Sequence, residues 1–449
     1  MLDIKYIREN PEKVKQNIIN RHTDQKKADV DKLLLLDARK FELEREIEKI
    51  REARNKLAEE LKDETLRTPE NIDQGKKLKE GVEVLEKELA EIQAQWQDIM
   101  DWTPNLLAND VPVGKDENDN LEIKAWSPKS GYFKKDQLGL KDFSKKWMPK
   151  HEFKSKDHVE LGNLLGVIDT EQSAKTSGSR FYYLKDDLVL LQYAYFDLLF
   201  KHLVRECKFH PMIVPLLVKE RVLYGTSHFP EGRDQVYKIE KDFVEEGQEL
   251  YLVGSSEPSL FAYWMDRVIP EELLPYRMCA TTTCFRSEVG SWGKDVRGIK
   301  RVHQFDKLEI DVVCKPDQSE KIFSELLGIN EWFYQQLELP YHQILKCTGD
   351  SGYQASYRQI DNEVWLPTQQ EFIEVGTDTN ATDYQTRRLN IKVQLKDGTK
   401  VLAHTVNNTG ITNTRPLISI LDNYQNPDGS VNIPKVLQEY MGKEKITTS

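Results

Sequence analysis

Between Cys279 and Val312 the chain reads CATTTCFRSEVGSWGKDVRGIKRVHQFDKLEIDV, and these residue types could handle a nucleotide. Arg286 offers a planar fork of donors that matches a phosphate, and Phe305 offers a ring face on which a base can stack. Glu288 and Glu309 are carboxylates able to read amino groups or to share a divalent cation. Two stretches rich in β-branched and aromatic residues, ATTTCFRSE and RVHQFDKLEIDV, flank EVGSWGKDVRG, which holds three glycines and no apolar run. The pattern predicts a hairpin, with Arg286 and Glu288 at the end of one strand and Phe305, Lys307 and Glu309 on the other. The competing reading of this stretch alone is a surface hairpin with charged edges.

A chain of 449 residues can build two or three domains around a sizeable core. Charged residues make up 31% and the net charge is −11, which excludes a uniformly basic nucleic-acid surface but not a local basic strip. The five cysteines (207, 279, 284, 314 and 347) form no C-x-x-C pair and are odd in number. Reduced thiols in the cytoplasm fit this better than a disulfide framework or a zinc site, and Cys279 and Cys284 read as core residues of a strand. No apolar run approaches 18 residues, and MLDIKYIREN is neither a signal nor a transit peptide, so no membrane partner is expected.

The first hundred residues are helical in pattern. A charged helix from Asp24 to about Lys62 repeats Leu36, Leu43, Ile50 and Leu57 every seven residues, with Ile47 and Leu61 beside that series. The breaker KDETLRTPEN follows, with Thr68 placed as N-cap and Pro69 as first helical residue. A second helix spaces Leu78, Val82, Leu85, Leu89, Ile92, Trp96 and Ile99 by fours and threes, which is a coiled-coil seam. Each helix has only a narrow apolar stripe to bury, so the two must fold back on each other into an arm of roughly 45–55 Å. The predicted layout is a helical domain over 1–110, with the arm at about 24–100, then an α+β domain over 111–449 built on an antiparallel sheet flanked by helices. In the second domain DLVLLQYAYFDLLFKHLVRE (187–206) reads as one amphipathic helix. KFHPMIVPLLV after it reads as an extended strand, confined to an edge or a special pairing by Pro211 and Pro215.

The residues F-R-S-E, the glycine-containing loop and R-V-H-Q-F-D-K-L-E resemble motif 2 of the class II aminoacyl-tRNA synthetases, in the form found in seryl-tRNA synthetases. The helix and proline-bearing strand at 187–218 resemble motif 1, the dimer interface of that class, with Pro215 at the family's proline. NNTGITNTRPLISILDNYQ places Arg415 just before an amphipathic helix, as in motif 3. The N-terminal arm is similar to the one with which seryl-tRNA synthetases reach the long variable arm and elbow of their tRNA.

This resemblance implies roles. Arg286 would contact the substrate carboxylate and the α-phosphate of ATP, Glu288 the adenine amino edge, and Phe305 the adenine face. Ser287 and Val302 would complete that part of the ATP site. Arg415 would hold the γ-phosphate and cover the base. In FIEVGTDTN, Glu374 matches the family's metal-binding glutamate, followed by Val375, Gly376 and Thr377. Glu309 would either share the Mg²⁺ that accompanies ATP or bind the substrate ammonium; no zinc is expected. For the amino acid, the family's T-x-E appears here as Ser255-Ser256-Glu257, and the serine of its N-G-S-G appears as Thr409 in NNTG. Both hydroxyls survive, with one methyl lost and one gained. Histidines, including His303, are read as structural, because the attacking carboxylate needs no general base.

The expected activity is ATP-dependent formation of seryl-adenylate and transfer of L-serine to the 3′ end of tRNA(Ser) by a homodimer, with tRNA(Sec) left open as a further acceptor. Two rivals stay open: a paralogue that loads a non-tRNA acceptor, and a catalytically inactive RNA-binding relative.

Overall fold

A computed structural model describes every residue except 244, 246, 291–296 and 449. Part of the glycine-bearing loop of the central hairpin therefore lies outside the described residues. The chain divides into two compact units, residues 2–104 and Met1 with 105–449.

The first unit is dominated by α1 (Val30–Glu60) and α2 (Pro69–Trp102). α1 begins at Val30 rather than near Asp24, because Asp29 caps it by accepting from Lys32 N and residues 24–28 form a turn. Thr68 caps α2 through Asn71 N at 3.2 Å with Pro69 next, as its sequence position predicts. The helices run antiparallel: Trp96 Nε1 donates to Asp37 at 3.1 Å, while Leu57 lies against Gly75 and Ile50 against Gly81. Leu36, Leu43, Leu57, Val82, Trp96 and Ile99 are buried in the seam, and Arg39–Glu88 and Arg51–Glu86 pairs flank it at 2.8 and 2.6 Å. At 1.5 Å per residue the helices are about 45–50 Å long.

The second unit is built on a nine-stranded sheet. Its strands are β1 (Leu121–Ser127), β2 (Gly131–Tyr132), β3 (His210–Pro211), β4 (Tyr276–Phe285), β5 (Gln304–Cys314), β6 (Tyr341–Leu345), β7 (Arg358–Leu366), β8 (Glu371–Thr382) and β9 (His404–Thr412). The spatial order is β2-β1-β6-β7-β8-β9-β5-β4-β3, antiparallel throughout except that β3 runs parallel to β4. Leu308, Ile310 and Val312 of β5 join one apolar core with helices α3 (Asp187–Arg205), α5 (Ser319–Gln336) and α6 (Thr414–Tyr424). A short helix α4 (Glu257–Ala262) precedes β4. Cys279 and Cys284 are fully buried on β4. No helix among the described residues is long and apolar enough to cross a membrane.

Three segments differ from their sequence reading. The segment 208–218 is not one strand: β3 covers only His210–Pro211 at the sheet edge, a second strand spans Leu217–Lys219, and Pro215 between them belongs to neither, its carbonyl accepting from Ser259 Oγ at 2.6 Å. Proline lacks the N–H a ladder needs, so the stretch breaks there. The first strand of the hairpin ends at Phe285, leaving Arg286, Ser287 and Glu288 beyond it, with Glu288 at φ +51°. Arg415 lies inside the first turn of α6 rather than before it.

On β6, His342 is wholly buried between Glu122 (2.7 Å) and Glu363 (2.9 Å) and stacks on Phe372 with centroids 3.4 Å apart. Asp142 also approaches His342 and Glu363, but both imidazole nitrogens already bond carboxylates, so this trio offers no imidazole lone pair to a metal. Burial opposes the imidazolium, yet the two carboxylates raise its pKa above the usual value. His342→Gln should destabilise this domain by about 3–5 kcal/mol, as removing one partner of a buried ion network does. A raised histidine pKa stabilises fully below the unfolded value of about 6.5 and is lost as pH rises through the folded value. The melting-temperature gap between wild type and His342→Gln should therefore be widest near pH 6 and narrow toward pH 9; a gap that widens with pH would contradict the assignment.

Candidate active site

A cavity of about 330 Å³ opens on the face of the sheet opposite the α3, α5 and α6 core. Strand alternation supplies its floor. Phe305, Lys307 and Glu309 are every second residue of β5 and all line the cavity, while the intervening Leu308 faces the core.

Two irregularities in neighbouring strands supply the walls. The register of β7 against β8 slips between Asn362 and Glu363, so Val375 is an extra residue in β8. An extra residue switches the face that later side chains take, and so Glu374 lines the cavity together with Thr377 and Thr379. Likewise the register of β5 against β9 slips between Leu308 and Glu309, making Gly410 the extra residue and bringing Thr412 onto the same side as Thr409 and Asn407. Glycine is required here, since a Cβ at Gly410 would sit 2.9 Å from Leu308 O. Gly376 is held by the same closeness, its Cβ position lying 2.9 Å from Thr409 O.

One half of the cavity carries phosphate-type chemistry. Arg286 Nε donates to Gly254 O at 3.1 Å, and the guanidinium lies 5.2 Å from the Phe305 ring centroid. Its backbone is pinned by His303: Arg286 N donates to His303 O, and the His303 Nδ1 pairs with Arg286 O at 3.0 Å. Glu288 is held by Arg301 at 3.4 Å. Arg415 reaches Glu374 at 3.3 Å and donates to its carbonyl at 2.7 Å. Glu374 is about half exposed, at 46%. Burial acts to raise its pKa, but Arg415 and Lys346 draw it below the usual carboxylate range.

The other half is buried and polar. Ser255 Oγ donates to Glu309 Oε2 at 2.7 Å and accepts from Lys307 Nζ at 3.2 Å, and Lys307 pairs directly with Glu309. Glu257 accepts from Tyr353 Oη at 2.8 Å and from Gln385 Nε2 at 2.7 Å. His228 lies 4.0 Å from Glu257, its pKa pushed down to about 4 by burial and by the neighbouring Arg286 and Lys307. Burial raises the carboxyls of Glu257 and Glu309.

Of the expected residues, Arg286, Glu288, Val302, Phe305, Glu309, Glu374, Val375, Gly376, Thr377, Arg415, Ser255, Glu257 and Thr409 line this cavity together. Ser256 and Ser287 do not: the Ser256 hydroxyl turns to Ala280 O at 3.5 Å, and that of Ser287 to Asp234 O at 2.5 Å. Glu309 groups with Ser255 and Lys307, whereas the charges acting on Glu374 are those of Arg415, Lys346, Glu363 and Arg286. Its partners thus favour the amino-acid role over the metal role. Sequence reasoning missed His228, Tyr353, Gln359 and Asn407, which also line the cavity. Asn407 sits in NNTG, where alternation from Thr409 points to it; His228, Tyr353 and Gln359 carry no local signal.

Comparison with known proteins agrees with this geometry. The tRNA synthetase class II core domain (G, H, P, S and T) matches residues 237–424, and the seryl-tRNA synthetase N-terminal domain matches residues 1–107. Fold and cavity thus define a class II aminoacyl-tRNA synthetase. A serine–tRNA ligase of Dictyoglomus turgidum is 39% identical over 448 residues, covering 99% of each chain. The crystal structure of seryl-tRNA synthetase from Pyrococcus horikoshii complexed with ATP superposes with a TM-score of 0.88 at 35% identity, covering all of both chains. The cytoplasmic serine–tRNA ligase from Naegleria fowleri in complex with AMP gives 0.80 at 28% identity, covering 100% of this chain and 99% of that one. The chain belongs to the seryl-tRNA synthetase family, and is a ligase.

Proposed function

We propose that the cavity binds ATP and L-serine, forms seryl-adenylate, and delivers serine to the 3′ end of tRNA(Ser) held by the N-terminal arm. The observation that carries this reading is the joining of two chemistries on one sheet face: Arg286 and Arg415 at one end, and Ser255, Glu257 and Glu309 at the other. In the first step a serine carboxylate oxygen bonds to the α-phosphorus while the bond to the pyrophosphate oxygen breaks. In the second, a terminal tRNA hydroxyl attacks the carbonyl carbon and AMP leaves. Charge grows on phosphate oxygens in the first step, so positioned cations carry much of the rate. Arg286 stands between the two halves, where it can hold the serine carboxylate and the α-phosphate. Phe305 supports the adenine, Glu288 its amino edge, and Arg415 the γ-phosphate.

Mg²⁺ arriving with ATP fits Glu374, a half-exposed carboxylate at the mouth. Such an ion keeps several waters and takes its other ligands from phosphates. It would neutralise phosphate charge.

The buried end supports the choice of serine. A pocket whose buried groups pair a substrate hydroxyl rejects alanine strongly, because those groups would be left unsatisfied. Against threonine the margin rests on shape, and one methyl is worth roughly 1–3 kcal/mol, or about 10–200-fold. Pyrophosphate exchange with serine, threonine, alanine and glycine tests this. Serine should have the highest kcat/KM, alanine should fall by at least about a thousandfold, and the paired change Ser255→Thr with Thr409→Ser should retain serine activation. Another amino acid outrunning serine would sink the serine assignment.

Dimer formation through α3 and β3 is supported by the exposed Leu190, Tyr193 and Ile213, the last wholly exposed beyond the edge strand. The cytoplasm, where tRNA and reduced thiols coexist, is the proposed compartment.

A further inference from the structure

Lys307 is the one group of the cavity floor that the reaction outlined above leaves without a task. It is 6% exposed, on β5 between Phe305 and Glu309 in the alternation that faces the cavity. A buried ammonium is unfavourable unless it is paired, so its presence needs an account. Its Nζ pairs with Glu309 Oε2 and donates to Ser255 Oγ at 3.2 Å. The same hydroxyl donates to Glu309 Oε2 at 2.7 Å and accepts from Glu257 N at 3.3 Å. A serine hydroxyl has one hydrogen and two lone pairs, and here all three are engaged. Ser255 is therefore saturated before any ligand arrives, and works as a bridge between Lys307 and Glu309 rather than as a free grip.

We propose that Lys307 is a positioning residue of the amino-acid subsite, whose ammonium locks Ser255 and the Oε2 atom of Glu309 so that Glu309 Oε1 is presented to the substrate. Among the described residues no hydrogen bond engages Glu309 Oε1. Close enough to act on Glu309 are Glu257, which also lines the cavity, and Asp311; both are buried, and neither oxygen of the Asp311 carboxyl has a hydrogen-bond partner among the described residues. Three buried carboxyls thus stand near the single ammonium of Lys307, and a substrate brings a further ammonium to them. The order of events is substitution of nothing: Lys307 stays on Oε2, and the ligand takes Oε1. This rests on the reading of the cavity as an amino-acid pocket.

The test is steady-state pyrophosphate exchange in the full-length protein. Lys307→Met keeps the stem and removes the charge; it should raise the KM for serine at least tenfold and leave the KM for ATP within twofold. Combined with Ser255→Ala, it should lose no more than the worse single variant, because both act through Glu309. In Lys307→Ala, added propylammonium chloride should restore serine KM at least threefold beyond an equal concentration of sodium chloride, a response that a merely structural stem would not give. Should the neutral variants fail to fold, Lys307→Arg keeps the charge with a fork of different shape, and should raise serine KM at least fivefold with ATP KM unmoved. Serine KM within twofold of wild type in the folded variants, or strictly multiplicative losses in the double variant, would overturn the proposal. A wild-type protein that exchanges with no amino acid would overturn the pocket reading itself, and this proposal with it.

Discussion

Arg286→Ala should abolish serine-dependent ATP–pyrophosphate exchange, with a loss of at least about a hundredfold in kcat/KM. Removal of one preorganised donor facing developing charge typically loses 10²–10³-fold. Two features of the site put Arg286 at the upper end. It is the cation adjoining both halves of the cavity, and its backbone is fixed on both sides by His303. Among the described residues the guanidinium bonds Gly254 O and lies over the Phe305 ring without an ion pair to a buried carboxylate, so truncation should not unfold the domain. Exchange within about threefold of wild type in a folded protein would be under 1 kcal/mol, and would remove Arg286 from the reaction.

Deleting residues 30–98, with a short turn to rejoin the chain, should spare serine activation while lowering kcat/KM for tRNA by about a hundredfold, equivalent to about 2.8 kcal/mol. The two long helices have their own seam, in which Leu43, Ile47, Leu57 and Val82 are buried. The cavity draws every lining residue from positions 228–415. Binding through the arm should also weaken steeply with salt, because lysine and arginine contacts release counterions from RNA phosphates. A folded deletion protein that loses exchange as well as charging would show that the arm does more than hold RNA.

These outcomes depend on features that differ in how far the sequence discloses them. The seam of the arm follows from heptad spacing, and the Thr68–Pro69 start of its second helix from capping chemistry, both of which act within a few residues. The floor of the cavity follows from alternation along Phe305, Lys307 and Glu309. The walls do not. Glu374 with Thr377, and Thr409 with Thr412, share a face only because Val375 and Gly410 are extra residues against their partner strands, and a register slip depends on the neighbour, not on the strand's own sequence. Tyr353 and His228 reach the cavity from loops, where no period marks a side chain's direction. The segment through Pro215 shows the opposite failure: its residue types favour a strand, but proline supplies no donor and the chain leaves the sheet. Ser256 and Ser287 adjoin site residues within their motifs, but their hydroxyls tie down backbone carbonyls at Ala280 and Asp234.

The most direct test of the central claim is the charging of RNA. Purified full-length protein, ATP, Mg²⁺ and labelled serine should be incubated with a tRNA(Ser) transcript and, in parallel, with a transcript lacking the long variable arm. The label should appear on the 3′-terminal adenosine of tRNA(Ser), depend on ATP, and fall by at least tenfold when the variable arm is absent. Serine-dependent pyrophosphate exchange without any label on tRNA(Ser) would contradict the account and point to a synthetase relative that loads a different acceptor.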